Sequence, residues 1–350
     1  MAERPLSVLV TGTVEDRLNS NTAIRRYIAR GLRDLGPQVA VREVGYGALI
    51  ASPGIGPVDV VVAVGGVAVD ASNLTALRRI ADGAGAALAF WVHDDPYEFD
   101  YSFRLRGIAD LVFNTDRWST AHYGDTPAVH LPLAGCLDTH FRPIDPAEPR
   151  DLTVFFCGYA YGNRIDFLRE STGVLRKCRT YVCGAEWPRD IPFARNERMT
   201  PDMFADTAAR ALFTLNIGRD LSIANARFSL SPSTPGPRTF EVALMGSAQL
   251  FLAEGLEILD YFEPDREIVL IDGPADLKRW IERAQDDPAS IVAIARRAQE
   301  RALSEHCYVH RAEAAVAHLV ARGLVRAPAG TDADLVPLGP AGFVPAIAAE

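Results

Sequence analysis

The run VDVVVAVGG, residues 58–66, decides the fold of this chain. Every residue from Val58 to Val64 except Asp59 is apolar. So short an apolar run, rich in β-branched residues and without polar alternation, reads as a strand buried on both faces. Such strands belong to parallel sheets covered by helices on each side, and Gly65-Gly66 marks where the run stops. Upstream, residues 6–10 form a first strand, followed by a polar loop over 11–20. Ile24, Ile28, Leu32 and Leu35 then recur at helical spacing, with Ser20 or Asn21 available as a cap. Residues 39–44 are a further strand. Downstream, a helix around 74–80 leads to strands at 86–92 and 109–113, for about six strands in all.

From 132 to 149 the sequence PLAGCLDTHFRPIDPAEP loses this periodicity, and 136–150 reads as a linker. A second strand and helix series follows, with strands at 152–156, 180–182, 211–216, 248–252 and 267–271. After Pro274 the chain is helical almost to Val325, and the Ala-, Pro- and Gly-rich tail 326–350 has no helical period. The expected class is α/β: two tandem Rossmann-like, doubly wound domains over 1–135 and 151–325, facing a cleft.

Composition narrows the partners. The chain has 350 residues, enough for two domains, with 48% hydrophobic and 23% charged residues and a formal charge of -9. Its pI of 5.4 speaks against a nucleic-acid backbone as ligand. Cys136, Cys157, Cys178, Cys183 and Cys307 are scattered and include no C-x-x-C pair, which fits a reducing cytoplasm better than a disulfide framework. Neither a signal peptide nor a membrane-spanning run is visible, so a cytoplasmic location is expected.

The strongest chemical signal is SPSTPGPRTFEVALMGSAQL, residues 231–250. A Pro- and Gly-rich loop that opens a short helix presents backbone N–H groups to a diphosphate. Ser233, Gly236, Arg238 and Thr239 fall in that opening, and Glu241 lies one turn in, placed to accept hydrogen bonds from ribose hydroxyls. A plain turn with an Arg238–Glu241 i,i+3 ion pair explains the same residues.

The segment from Arg238 onward, continued by EIVLIDGPADLKRWI and SEHCYVHRAE, resembles the C-terminal half of group 1 glycosyltransferases. It is most similar to the branch named for the spore-maturation protein CgeB, with its R-x-F-E motif, D-x-P strand and closing H-x-Y-x-H-R helix. TVFFCGYAYGNRIDF, residues 153–167, resembles the first strand and glycine turn of that family's C-terminal domain. Gly158, Asn163 and Arg164 are then donor-binding candidates. WVHDDP, residues 91–96, resembles the branch's W-x-x-D-D-P segment, which makes His93, Asp94 and Asp95 catalytic candidates. Capping of the following turn by the two aspartates is the alternative reading there.

The resemblance implies a GT-B fold and transfer of a sugar from a nucleoside diphosphate sugar, with retention at the anomeric carbon. No cofactor and no metal are expected. The N-terminal domain, through Gly12, Thr13, Gly65 and Gly66, would shape the acceptor side. A second glutamate separated from the first by seven intervening residues, frequent in retaining members, is missing, since Ser233 occupies that position relative to Glu241. A non-catalytic nucleotide-sugar-binding protein and a nucleotide-sugar epimerase therefore stand as alternatives. His306 and His310, in the closing motif, are assigned to packing on a shared helix face.

Overall fold

A computed structural model describes residues 4–15, 19–66, 71–145, 148, 150–253 and 255–328. The expected tail from 329 on, part of the 11–20 loop and Glu254 lie outside the described residues. Two compact units emerge. Among the described residues the first comprises the chain up to Leu133, an excursion Ser222–Thr234, and the chain from Tyr308 on; the second comprises Ala134–Leu221 and Pro235–Cys307.

The first unit holds β1 (Leu6–Gly12), β2 (Val39–Glu43), β3 (Val60–Val64), β4 (Ala87–Val92), β5 (Leu111–Asn114) and β6 (Ala128–His130). All pair in parallel, in the order β2-β1-β3-β4-β5-β6. Every residue of β3 is buried, as the sequence of that run demands. One core cluster packs Val61, Ala63, Leu88 and Phe90 of the sheet against Leu74, Leu77 and Ile80 of the helix Ala71–Ala84. Each such side chain contributes roughly 1.5–3 kcal/mol by leaving water. The first helix, Asn19–Asp34, begins ahead of the expected caps.

The second unit holds β7 (Leu152–Tyr159), β8 (Thr180–Ala185), β9 (Ala194–Arg195), β10 (Ala211–Asn216), β11 (Ala248–Leu252) and β12 (Val269–Ile271). These are again parallel, in the order β12-β11-β10-β7-β8-β9. Strand β9, two residues long, carries no periodic signal and escapes sequence reading. Helix starts here are chemically marked. Thr200 caps Pro201–Ala209 through the Met203 N–H (3.2 Å), and Asp287 caps Pro288–Glu305 through the Ser290 N–H (3.1 Å).

Two boundaries differ from expectation. The stretch read as a linker contains a helix, Leu137–His140, and is held within the second unit: the Arg142 N–H donates to the Leu244 carbonyl (3.1 Å), and Gln299 Nε2 donates to the Arg142 carbonyl (2.7 Å). Its prolines signalled irregular backbone, which packs as well as regular backbone once its polar groups are paired. The last helix, Tyr308–Ala321, joins the first unit rather than the second. Its Arg311 Nε donates to the Pro132 carbonyl (3.0 Å), and the Tyr308 and Tyr27 rings lie 5.8 Å apart. His306 and His310 consequently share no helix face: His306 caps the preceding helix and packs among Phe240, Tyr261 and Phe262.

Candidate functional site

In each sheet the strand order reverses about the first strand, between β1 and β3 and between β7 and β10. Open parallel sheets bind ligands in the crevice at the carboxyl ends of the strands flanking such a reversal. Most of the sequence candidates fall there.

In the first unit, Gly12 ends β1, Thr13 follows it, and Gly65-Gly66 follow β3. Thr13 Oγ1 donates to the Gly66 carbonyl (2.5 Å) and so ties the two strand ends together. Gly65 has φ +139°, and a Cβ there would stand 2.9 Å from Thr13 Oγ1, which restricts the position to glycine. Beside Gly66 stand two carboxylates: a Cβ on it would meet Glu98 Oε2 at 2.6 Å and Asp94 Oδ2 at 3.5 Å. Asp94 Oδ2 also lies 3.2 Å from His93 Nδ1 at the end of β4. Thus Gly12, Thr13, Gly65, Gly66, His93 and Asp94 are brought to one edge of one sheet. Glu98 joins them; its position in WVHDDPYEF offered only proximity to the histidine as a signal.

Asp95 parts from its neighbours. It is 4% exposed and accepts hydrogen bonds from Ser102 Oγ, Asn114 Nδ2 (2.8 Å) and Tyr123 Oη (2.8 Å). Burial pushes its carboxyl up to about 7, against those hydrogen bonds, with the Asp116 charge adding to the rise. The catalytic assignment of Asp95 is corrected: the group anchors the loop that presents His93 and Asp94.

Ser233 is also reassigned. It belongs to the excursion that joins the first unit, where its N–H (2.9 Å) and hydroxyl (3.1 Å) donate to Asp116 Oδ2. Asp116 also caps the helix Arg117–Thr120, accepting from the Ser119 N–H (2.9 Å). Further along the excursion, the Arg227 N–H donates to Asp100 Oδ2 (3.0 Å), and the Phe228 ring sits 4.8 Å from that of Phe99.

In the second unit, Arg164 lies on the helix Gly162–Glu170 and reaches across the reversal point. Its Nη1 donates to the Tyr159 carbonyl at the end of β7 (3.0 Å), and Nε and Nη2 donate to the carbonyl of Ile217 just past β10 (3.1 and 2.8 Å). Nε also meets the Gly218 carbonyl (2.9 Å), and the guanidinium stacks on the Tyr161 ring at 4.9 Å. Gly158 makes room for this side chain, since a Cβ there would lie 3.0 Å from Arg164 Nη1. Asn163 Nδ2 donates to the Gly218 carbonyl (3.2 Å), and its N–H to Asp220 Oδ2 (3.0 Å), so a carboxylate already caps that helix. Asn163 and Arg164, expected as donor ligands, pin the loop after β10. These bonds go to neutral carbonyls, so the guanidinium pins the loop and keeps its charge.

Arg238 and Glu241 are placed otherwise. The Arg238 guanidinium lies 3.9 Å from the Phe204 ring centroid, and its Nη1 is 3.5 Å from Glu241 Oε2. The i,i+3 pair of the alternative reading is thus present. On its other oxygen Glu241 faces His140 Nε2 at 3.9 Å. Because His140 Nδ1 accepts the Cys136 N–H (3.0 Å), the proton of the neutral ring belongs on Nε2, toward Glu241. Burial holds the His140 imidazole below its usual range, with Glu241 opposing and Arg238 assisting. Thr239, expected to touch the donor, is buried: its Oγ1 accepts from Asn216 Nδ2 (3.0 Å) and its carbonyl from Gln249 Nε2 (2.7 Å). A side chain at Gly236 would meet open space. His140 and Phe204, the supports of Glu241 and Arg238, escaped sequence reading because each is distant in the chain.

Among the described residues no group of three or more His, Cys, Asp or Glu side chains is arranged to hold a metal ion, and no helix is long and apolar enough to cross a membrane.

Residues 164–317 match the model of the family described as glycosyl transferase-like. No curated protein sequence matches the chain. Among solved structures, Anabaena HepE in complex with UDP-glucose is similar at TM-score 0.59 and 10% identity, over 90% of this chain and 100% of that one. The sucrose-phosphate synthase of Thermosynechococcus elongatus is similar at TM-score 0.56 and 11% identity, over 89% and 96%. An alpha-glucosyltransferase solved with UDP and DNA is similar at TM-score 0.59 and 12% identity, over 88% and 96%. These likenesses establish two Rossmann-like units of the GT-B fold class. On that fold, residues 164–317 carry the glycosyl transferase-like match.

Proposed function

We propose that the protein transfers a sugar from a nucleoside diphosphate sugar to a hydroxyl or amine of a small-molecule or cell-surface acceptor. The reading includes a retaining, metal-independent reaction, with no cofactor beyond the donor itself, and membership of the CgeB-like branch. The donor falls to the second unit and the acceptor to the first.

The observation that carries this reading is the Arg238–Glu241 pair, half-open to solvent on the cation and supported from beneath by Phe204 and His140. Glu241 offers carboxylate oxygens to the ribose hydroxyls. Arg238 offers charge to the diphosphate as it leaves, the stage at which negative charge develops. Nucleotide-bound neighbours favour a nucleoside diphosphate, because HepE is described with UDP and with UDP-glucose. On the acceptor side, His93, Asp94 and Glu98 border the edge lined by Gly65 and Gly66. A donor phosphate oxygen takes the acceptor's proton in this scheme, so no covalent enzyme intermediate forms.

A thermal-shift series against UDP, GDP, ADP, CDP and TDP tests the donor class. A ligand at about 100 times its Kd adds roughly 2.7 kcal/mol of stability. One nucleotide should raise the melting temperature, and Glu241→Ala should abolish the rise while the unliganded variant still unfolds cooperatively. A rise that persists in Glu241→Ala defeats the ribose placement. Product mass completes the test: sugar mass on an acceptor is required, and release of an isomerised nucleotide sugar alone would indicate an epimerase, a class represented among the structural neighbours at TM-score 0.54.

A further inference from the structure

Tyr159 closes β7, one of the two strands flanking the reversal in the second sheet, and it is 47% exposed. Its in-register neighbour on β8 is Ala185, whose methyl group is too small to cover a phenol ring. The Tyr161 ring lies alongside, with centroids 5.1 Å apart and planes inclined at 39°. Neither hydroxyl bonds to another described residue. The remaining tyrosines of the second unit behave otherwise. Tyr181 donates to Glu197 Oε2 (3.1 Å) and stacks on Phe155, and the buried Tyr261 donates to Glu257 Oε1 (2.6 Å). Packing and hydrogen bonding explain those two rings; they do not explain an uncovered aromatic at the end of β7.

The backbone that carries the pair is fixed. The Tyr159 carbonyl accepts from the Tyr161 N–H (3.0 Å) and from Arg164 Nη1 (3.0 Å), and the Ala160 N–H donates to the Ala185 carbonyl (3.0 Å). The Arg164 guanidinium, 4.9 Å from the Tyr161 centroid, steadies that ring by a cation–π contact. Rings held in place beforehand give up little freedom when a ligand arrives. A carboxylate stands at the next residue: Asp220 Oδ2 accepts the Asn163 N–H (3.0 Å) and lies 3.0 Å from where a Cβ on Gly162 would be. Asp220 is exposed, and its Oδ1 accepts from no described residue.

Aromatic faces beside hydroxyls and a carboxylate suit a ligand that is apolar on one face and donates hydrogen bonds at its rim. A pyranose is such a ring. Its C–H groups, slightly positive, meet the negative face of an aromatic side chain, and its hydroxyls donate to a carboxylate. A planar base slotted between the two tyrosines would need two stacking contacts of about 3.5 Å each, roughly 7 Å in all, and the rings are 5.1 Å apart. A pyrimidine edge also carries carbonyl oxygens, which a carboxylate repels. We propose that Tyr159 and Tyr161, with Asp220, form a pyranose-binding platform: the sugar ring lies on the outer face of Tyr159 and turns its hydroxyls toward Asp220 and the phenols. The pyranose is the sugar of the donor or a separate saccharide; the first source rests on the proposed donor site, and the platform itself does not.

Saturation-transfer difference NMR on the full-length protein reads which ligand protons touch it. The probes are UDP-glucose, UDP-galactose, UDP-N-acetylglucosamine and GDP-mannose, the sugarless UDP and GDP, and the methyl glycosides of the same four sugars. At least one probe should receive saturation on the C–H protons of one sugar face. Tyr159→Ala should weaken that probe's binding about tenfold, and Tyr159→Phe, which keeps the ring, less than about twofold. Weakening of a nucleotide sugar with UDP and GDP unaffected assigns the donor's sugar; a contact made by a glycoside alone assigns a separate saccharide, and both uphold the platform. Sugar protons that receive no saturation from any probe, or a sugar contact that persists in Tyr159→Ala, overturn it. Tyr159→Ala weakening UDP or GDP as strongly as the nucleotide sugars also overturns it, since the ring then carries a base. Should Tyr159→Ala fail to unfold cooperatively, Tyr159→Leu takes its place. Binding of UDP or GDP without any sugar contact defeats the platform and leaves the donor reading standing, whereas a glycoside contact without nucleotide binding does the reverse.

Discussion

The two sheets reverse their strand order at equivalent places and close those places by different means. Between β1 and β3 the bridge is one hydroxyl, Thr13 to the Gly66 carbonyl, beside a histidine and two carboxylates at a glycine-lined edge. Between β7 and β10 the bridge is a whole guanidinium, Arg164, spread over the carbonyls of Tyr159, Ile217 and Gly218. The first arrangement closes with a neutral hydroxyl; the second closes with a cation whose N–H donors are engaged by the backbone. A cation near a glycine turn can thus hold backbone in place, whatever else it binds. Its availability depends on how many carbonyls lack other donors, which only the folded chain sets.

Arg164→Ala should break this comparison most severely. Removing a charge-assisted bridge to three carbonyls should cost about 2–4 kcal/mol of stability, read by urea unfolding. Normal stability with lost activity would instead return Arg164 to the diphosphate. Asp95→Asn sharpens the other side. The folded-state carboxyl titrates near 7 against 3.8 for the free group. Its stabilising contribution is then complete below the unfolded value and is lost as pH rises through about 7. Wild-type stability should carry this fall between pH 4 and 7, and Asp95→Asn should remove it; an unchanged profile would mean that Asp95 is ionised in the fold.

Smaller effects probe the glycine-lined edge itself. Gly65→Ala imposes a side chain at φ +139° against Thr13 and should cost roughly 1–3 kcal/mol, measured by thermal unfolding. Thr13→Val removes one hydroxyl bridge and should cost about 1 kcal/mol. A Thr13→Val loss as large as that of Arg164→Ala would erase the distinction between a light and a heavy closure.

Much of this architecture was legible in the chain. Doubly buried strands such as VDVVVAV carry a pattern that no other environment favours, so the parallel sheets and the two-unit plan follow from local composition. The edge positions Gly12, Thr13, Gly65, Gly66, His93 and Asp94 follow too, since a strand's carboxyl end can be counted from its apolar run. The Arg238–Glu241 pair is a helical spacing and needs no tertiary knowledge. Partnership across distance is different in kind. That Asp95 is an anchor while Asp94 faces the edge depends on Ser102, Asn114 and Tyr123 arriving from elsewhere. That Ser233 belongs with Asp116 and Thr239 with Asn216 depends on strand register and on an excursion that rejoins the first unit. Hydrophobic period is a property of neighbours in the chain, whereas hydrogen-bond partners are properties of neighbours in space.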